Sequence, residues 1–163
     1  MFHTNLDKSA KTLVLGIGNT LLSDEGIGIH VLRTLQQKTS SQAGIEFLDG
    51  GTLSFTLARP IEDCDHIIVI DASEIHSSPG AIKVFENEQM DRFITSGNKK
   101  CVHEVSLVDV MSMAMLTGRL PARRALIGIQ PQHLDWGNEP SAAVQAAIPL
   151  ACNEVENLIG KWQ

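Results

Sequence analysis

Cysteine is scarce in this chain, and what is there is poorly placed for cross-linking. Cys64, Cys101 and Cys152 are odd in number and far apart, and none belongs to a C-x-x-C pair. Neither a disulfide framework nor a thiolate zinc site is indicated, and the usage fits a reducing cytoplasm. Positive charge is also sparse. The net charge of −6 and the two isolated doublets, Lys99-Lys100 and Arg123-Arg124, give no basic footprint for nucleic acid. The doublets read as solvated surface. No apolar run approaches the ~20 residues needed to span a bilayer. The first eleven residues lack the basic-then-apolar layout of a secretory leader and read as a short flexible lead-in. A Walker A sequence and a G-x-S-x-G nucleophile elbow are both missing.

What is present is the composition of an ordinary globular protein, with 43% hydrophobic and 20% charged residues in 163. That length fits one domain spanning residues 1–163. Short apolar runs without polar alternation, Thr12–Ile17, Ile67–Asp71 and Arg124–Ile129, predict strands buried on both faces. Ile45–Asp49 is a further strand, and the alternating Ala81–Glu86 predicts a more exposed antiparallel edge strand. Helical spacing of Ile27, Val31 and Leu35 follows a turn in which Ser23 or Asp24 can act as the cap. A short helix capped by Thr52 should end or bend at Pro60. Another runs from Glu104 to Leu116, with Val105, Val108, Met111 and Met115 on its apolar face and Gly118 as its C-terminal cap. A last helix, about Pro140 to Ile159, should bend at Pro149. Residues 87–100 yield no assignment. Strands alternating with helices predict an α/β fold: a three-layer α/β/α sandwich around a twisted, mostly parallel sheet of about five strands.

Ligands of such sheets sit outside the carboxyl ends of the strands. Asp24 and Glu25 follow the first strand there, Asp49 ends the second and Asp71 ends the third. His103 precedes a later helix in a loop that can return to the same rim. Gathered carboxylates repel one another unless a cation or shared protons compensate. Carboxylate and imidazole donors suit nickel, zinc, iron or manganese without choosing among them. Each residue also has a plainer reading: Asp24 and Asp49 as turn formers or caps, Glu25 as a helix-dipole acid. Gly16-Ile-Gly18 imitates a dinucleotide fingerprint, but the third glycine position holds Leu21 and the loop is acidic, which disfavours a pyrophosphate.

Leu15-Gly-Ile-Gly-Asn-Thr-Leu-Leu-Ser-Asp-Glu-Gly-Ile-Gly28 resembles the opening motif of the nickel-iron hydrogenase maturation endopeptidases. The resemblance continues through Leu48-Asp-Gly-Gly-Thr52, Asp65-His-Ile-Ile-Val-Ile-Asp-Ala72, Ser78-Pro-Gly80, His103 to Asp109, Ile129-Gln-Pro131 and the proline-bearing final helix. It implies removal of a C-terminal extension from the hydrogenase large-subunit precursor after nickel insertion. By the same resemblance Glu25, Asp71 and His103 contact a nickel ion presented by the precursor, with no permanent cofactor, and Asp49 has a supporting or catalytic role. Two alternatives stand beside it: a conventional peptidase with permanent zinc on the same residues, and a non-catalytic chaperone that detects metal loading. The Cys101-Val-His103 triplet departs from relatives that carry serine or proline before the histidine, which bears on the loop shape there.

Overall fold

A run of Leu, Ile and Val with no polar alternation can be buried only if both of its faces are covered, and the sheet meets that demand. The structure, a computed structural model, describes residues 9–39, 42–96 and 105–163. Five strands, β1 (Thr12–Gly16), β2 (Ile45–Asp49), β3 (His66–Ala72), β4 (Ile82–Glu86) and β5 (Arg123–Ile129), form one sheet in the order β2-β1-β3-β5-β4. All neighbours are parallel except β4, which runs antiparallel to β5 at the edge. The expected mostly parallel sheet with an antiparallel edge is what forms.

Strand alternation sorts the apolar residues into two cores. Val14, Ile68, Ile70, Ile127 and Ile129 pack with α1 (Ile27–Lys38), α5 (Ala142–Ala146) and α6 (Ile148–Trp162). Leu13, Leu15, Ile67, Val69 and Leu126 face α2 (Ala58–Glu62), α3 (Glu88–Ser96) and α4 (Leu107–Leu116). The result is the three-layer sandwich that the pattern predicts.

Local expectations fare less evenly. The polar stretch left unassigned holds α3, whose Met90, Phe93 and Ile94 recur at helical spacing and pack into the second core. Asp91 on this helix accepts two bonds from Arg124, at 2.8 Å from Nε and 2.5 Å from Nη2. Arg123 donates from Nη1 to the Trp162 carbonyl at 3.0 Å. Arg124 is therefore bonded into the fold and is not solvated surface, whereas Arg123 stays exposed as expected while bonding to the Trp162 carbonyl.

The apolar face of α4 is Leu107, Val110, Met111 and Ala114; Met115 is 69% exposed and Leu116 87%. Of the expected face, Met111 is buried and Val105 packs against the second core, whereas Val108 is half-buried and Met115 exposed; the helix starts at Leu107, after Ser106, which forms a capping box with Asp109. Gly118, at φ +70°, ends it as expected, with the Arg119 amide bonded to the Ala114 carbonyl. Pro60 neither ends nor bends α2, since a proline in a helix's first turn forfeits no obligatory bond. Thr52 is not the cap; Ser54 precedes the 3-10 turn Phe55–Leu57 that leads into α2. Pro149 likewise does not bend one long helix. It lies in the first turn of α6, separated from α5 by Ala147.

Candidate active site

β1 lies between β2 and β3, so the chain leaves its carboxyl end at the point where the crossovers diverge to opposite sides. Backbone bonds fasten the three strand ends together. The Ile17 amide donates to the Ile70 carbonyl at 3.0 Å, the Gly18 amide to Gly51 at 2.8 Å and the Gly50 amide to Gly16 at 2.8 Å.

Two glycines set how closely the next segment can approach. A Cβ at Gly18, whose φ is +137°, would collide with the Glu25 carbonyl, and one at Gly28 would overlap the backbone oxygens of Ile70 and Ile17. The glycine-rich motif therefore seats the 3-10 turn Ser23–Gly26 and the start of α1 directly on the ends of β1 and β3. Gly28→Ala is expected to cost about 1–3 kcal/mol, because backbone cannot yield as a side-chain tip can. Urea unfolding measures this, and an unchanged midpoint would show that the helix has room to shift.

The acidic pair in that turn divides its work. Asp24 is fully buried and its carboxylate accepts four bonds: from the amides of Gln132 and His133, each at 2.8 Å, from the Ser141 amide at 2.6 Å and from the Ser141 hydroxyl at 2.9 Å. Burial alone would raise its pKa; these donors outweigh that and hold it below the ordinary aspartate value. The turn has no side-chain cap bond, so Asp24 clamps the loop after β5 instead of capping a helix.

Glu25 faces Asp71. Asp71 follows Val69 on the α3/α4 side of the sheet, and its carboxyl is pushed well above the usual carboxylate range. Burial is the main cause, the negative charge of Glu25 is the next, and a bond from the Ala72 amide opposes both. The structure thus brings together two of the expected residues. Asp49 stands one strand over, exposed, with its Oδ1 accepting from the Gly51 amide at 2.9 Å. It follows Phe47, which packs against the first core, so alternation directs it away from the face that carries Asp71. His103 lies outside the described residues. Among the described residues, no group of three His, Cys, Asp or Glu side chains is gathered to hold a metal ion.

A residue that spacing did not single out shapes the wall beside Asp71. Gln130, 6% exposed, accepts from the Ile75 amide at 2.9 Å and the Ser77 amide at 3.3 Å, and donates to Glu74 at 3.1 Å. The sequence signal is an amide directly after a buried strand and before Pro131. The loop it holds is one side of a cleft of about 780 Å³ that opens from Asp71, with Phe85 and Leu126 as floor and Phe93, Leu107 and Leu134 along its sides.

The sequence profile described as hydrogenase maturation protease matches residues 29–158, most of the chain. The chain belongs to that family. HupD of Rhizobium leguminosarum bv. viciae, a hydrogenase expression/formation protein, is 35% identical over 153 residues, covering 93% of this chain and 75% of the relative. The hydrogenase 2 maturation protease of Escherichia coli K12 is 34% identical over 146 residues, covering 89% and 88%. Among solved structures, the E. coli hydrogenase maturating endopeptidase HybD superposes with a TM-score of 0.85 at 33% identity over 93% of each chain. HybD of Thermococcus kodakarensis gives 0.72 at 28% identity, over 91% of this chain and 98% of that one. This maturation protease is a processing peptidase, and the site just described is where its acidic residues converge. No helix among its described residues is long and apolar enough to cross a membrane.

Proposed function

We propose that this maturation protease removes a C-terminal extension from a nickel-iron hydrogenase large-subunit precursor after nickel has been inserted. In this reading Glu25, Asp71 and His103 meet the nickel that the precursor carries. The observation that carries it is the meeting of Glu25, on the turn after β1, and Asp71, on β3, as two half-buried carboxyl groups at the carboxyl ends of adjacent strands, close enough for the charge of Glu25 to raise the pKa of Asp71. Two carboxyl groups so close disfavour each other's ionisation and are well suited to receiving a cation. The nickel, as part of the substrate, supplies that positive charge when the precursor docks.

Hydrolysis needs a water oxygen to bond to the scissile carbonyl carbon, the C–N bond to break, and a proton to reach the departing amine. A carboxylate at the rim takes the proton from water and returns it to the nitrogen. In this reading Asp71 or Glu25 does this, and Asp49 supports the rim through the turn it closes on Gly51. Coupling the two halves makes cleavage conditional. Without the nickel, the precursor is not positioned.

The test is cleavage of nickel-loaded against nickel-free precursor by the purified protein, followed by mass spectrometry. The loaded form is expected to be shortened at least about tenfold faster, the gain of a coupling of some 1.4 kcal/mol. Equal rates would end the nickel-recognition reading. If the purified protein also held stoichiometric zinc essential for cleavage, a permanent zinc peptidase on the same residues would replace it.

A further inference from the structure

Trp136 is the larger of two anomalies on the rim: a tryptophan 83% exposed, in a chain whose other tryptophan, Trp162, is 7% exposed in the core. Exposed tryptophan costs solubility and is uncommon without a partner. Two further large apolar side chains on the same pair of bonded loops are exposed, Leu21 at 53% and Leu134 at 49%, among polar neighbours such as Asp135. The second anomaly is how rigidly it is held. Ser23 donates from its amide to the Gly137 carbonyl at 2.9 Å and from its hydroxyl to the Asp135 carbonyl at 2.8 Å. The Gly137 amide returns a bond to Leu21 at 2.9 Å, and the Asp24 amide bonds the His133 carbonyl at 3.1 Å. Both neighbours of Trp136 are thus tied to Ser23, two residues before Glu25. The backbone that carries the indole is therefore fixed to the turn that carries Glu25.

We infer that Trp136, with Leu21 and Leu134, is the platform on which the protein substrate docks an apolar side chain beside the scissile segment. This rests on the reading of the site given under Proposed function. The platform is continuous with the catalytic cleft, because Leu134 both lines that cleft and stands exposed next to Trp136. The extent of the patch favours a substrate over a second copy of the chain. Three side chains offer at most a few hundred Å², against the ~800 Å² per partner of a stable interface. A rigid aromatic anchor at the edge of a cleft is the kind of residue that dominates a small transient contact.

Trp136→Ala and Trp136→Phe are to be compared with the unaltered protein on nickel-loaded full-length precursor. Trp136→Ala is expected to raise KM about tenfold or more with kcat changed less than about twofold, and Trp136→Phe to recover most of the loss. A second measurement reads binding without cleavage. In protein labelled with 5-fluorotryptophan, the precursor should move the ¹⁹F signal of Trp136 and leave that of Trp162 in place. Failure of the unaltered protein to cleave would overturn the function, whereas cleavage with unchanged KM in Trp136→Ala and a static Trp136 signal would overturn the platform alone. Loss of a self-associated species in Trp136→Ala, seen by sedimentation, would assign the patch to a second copy and equally overturn it.

Discussion

Asp71→Asn is expected to reduce precursor cleavage at least about a hundredfold and, at neutral pH, to make the protein harder to unfold. The two effects share one cause. In the folded protein the Asp71 carboxyl resists ionisation because it is buried and because Glu25 stands beside it; in the unfolded chain neither applies. Its folded pKa is raised, so the native state binds more protons between the two pKa values, and stability falls as pH rises through that window. Below the ordinary aspartate value the penalty is absent in both states. Asparagine cannot ionise and removes the penalty throughout. Thermal unfolding of the metal-free protein should therefore show Asp71→Asn gaining at pH 7 and gaining little or nothing near pH 4, by about 2–4 °C per kcal/mol relieved. An unchanged or lower Tm at pH 7 would mean the site stores no electrostatic strain. Retained cleavage would remove Asp71 from the chemistry whatever its effect on stability.

How much of this was legible before folding depends on which physical constraint a residue obeys. β1, β3 and β5 were readable because a strand buried on both faces leaves an unbroken apolar run, and Asp71 followed as the carboxylate at the end of one. The partnership of Glu25 and Asp71 was readable only through the rule that parallel sheets gather ligands at their carboxyl ends, helped by the family resemblance. α3 was missed because its surface is polar and its buried residues are few: Met90, Phe93 and Ile94 make a stripe too narrow to outweigh the charged residues around it. The face of α4 was only half legible, because Leu107, Val110, Met111, Met113, Met115 and Leu116 leave apolar residues on nearly every side and spacing alone cannot choose the buried stripe; its start is set by the capping box at Ser106 and Asp109. The roles of Asp24, Gln130 and Trp136 are tertiary. Asp24 bonds to residues 108 to 117 positions away, and no local pattern carries that information.

Asp24→Ala is expected to lower the free energy of unfolding by about 3–5 kcal/mol, a large share of the ~5–15 kcal/mol typical of a domain. The substitution deletes a buried acceptor that serves four donors from a single loop. The part-buried amides of Gln132, His133 and Ser141 lose their acceptor, at about 1–3 kcal/mol for each that water does not reach. Asp24→Asn should be milder, about 1–3 kcal/mol: its carbonyl can keep the Oδ2 partners, while its NH₂ must face the Ser141 amide, donor against donor. The pH dependence supplies a sharper check. The folded pKa of Asp24 is depressed, so its contribution is present above the unfolded value near 3.9 and is lost as pH falls through the folded one. Denaturant unfolding from pH 7 downward should show the unaltered protein losing, in the acid range, a component that Asp24→Ala lacks throughout. Parallel curves for the two proteins would show the carboxylate to be energetically idle. Because this same clamp holds residues 132–141 against the turn that carries Glu25, Asp24→Ala should also loosen the Trp136 loop. Amide exchange at Gly137 should then accelerate below the unfolding midpoint, whereas exchange in β3 stays tied to global unfolding.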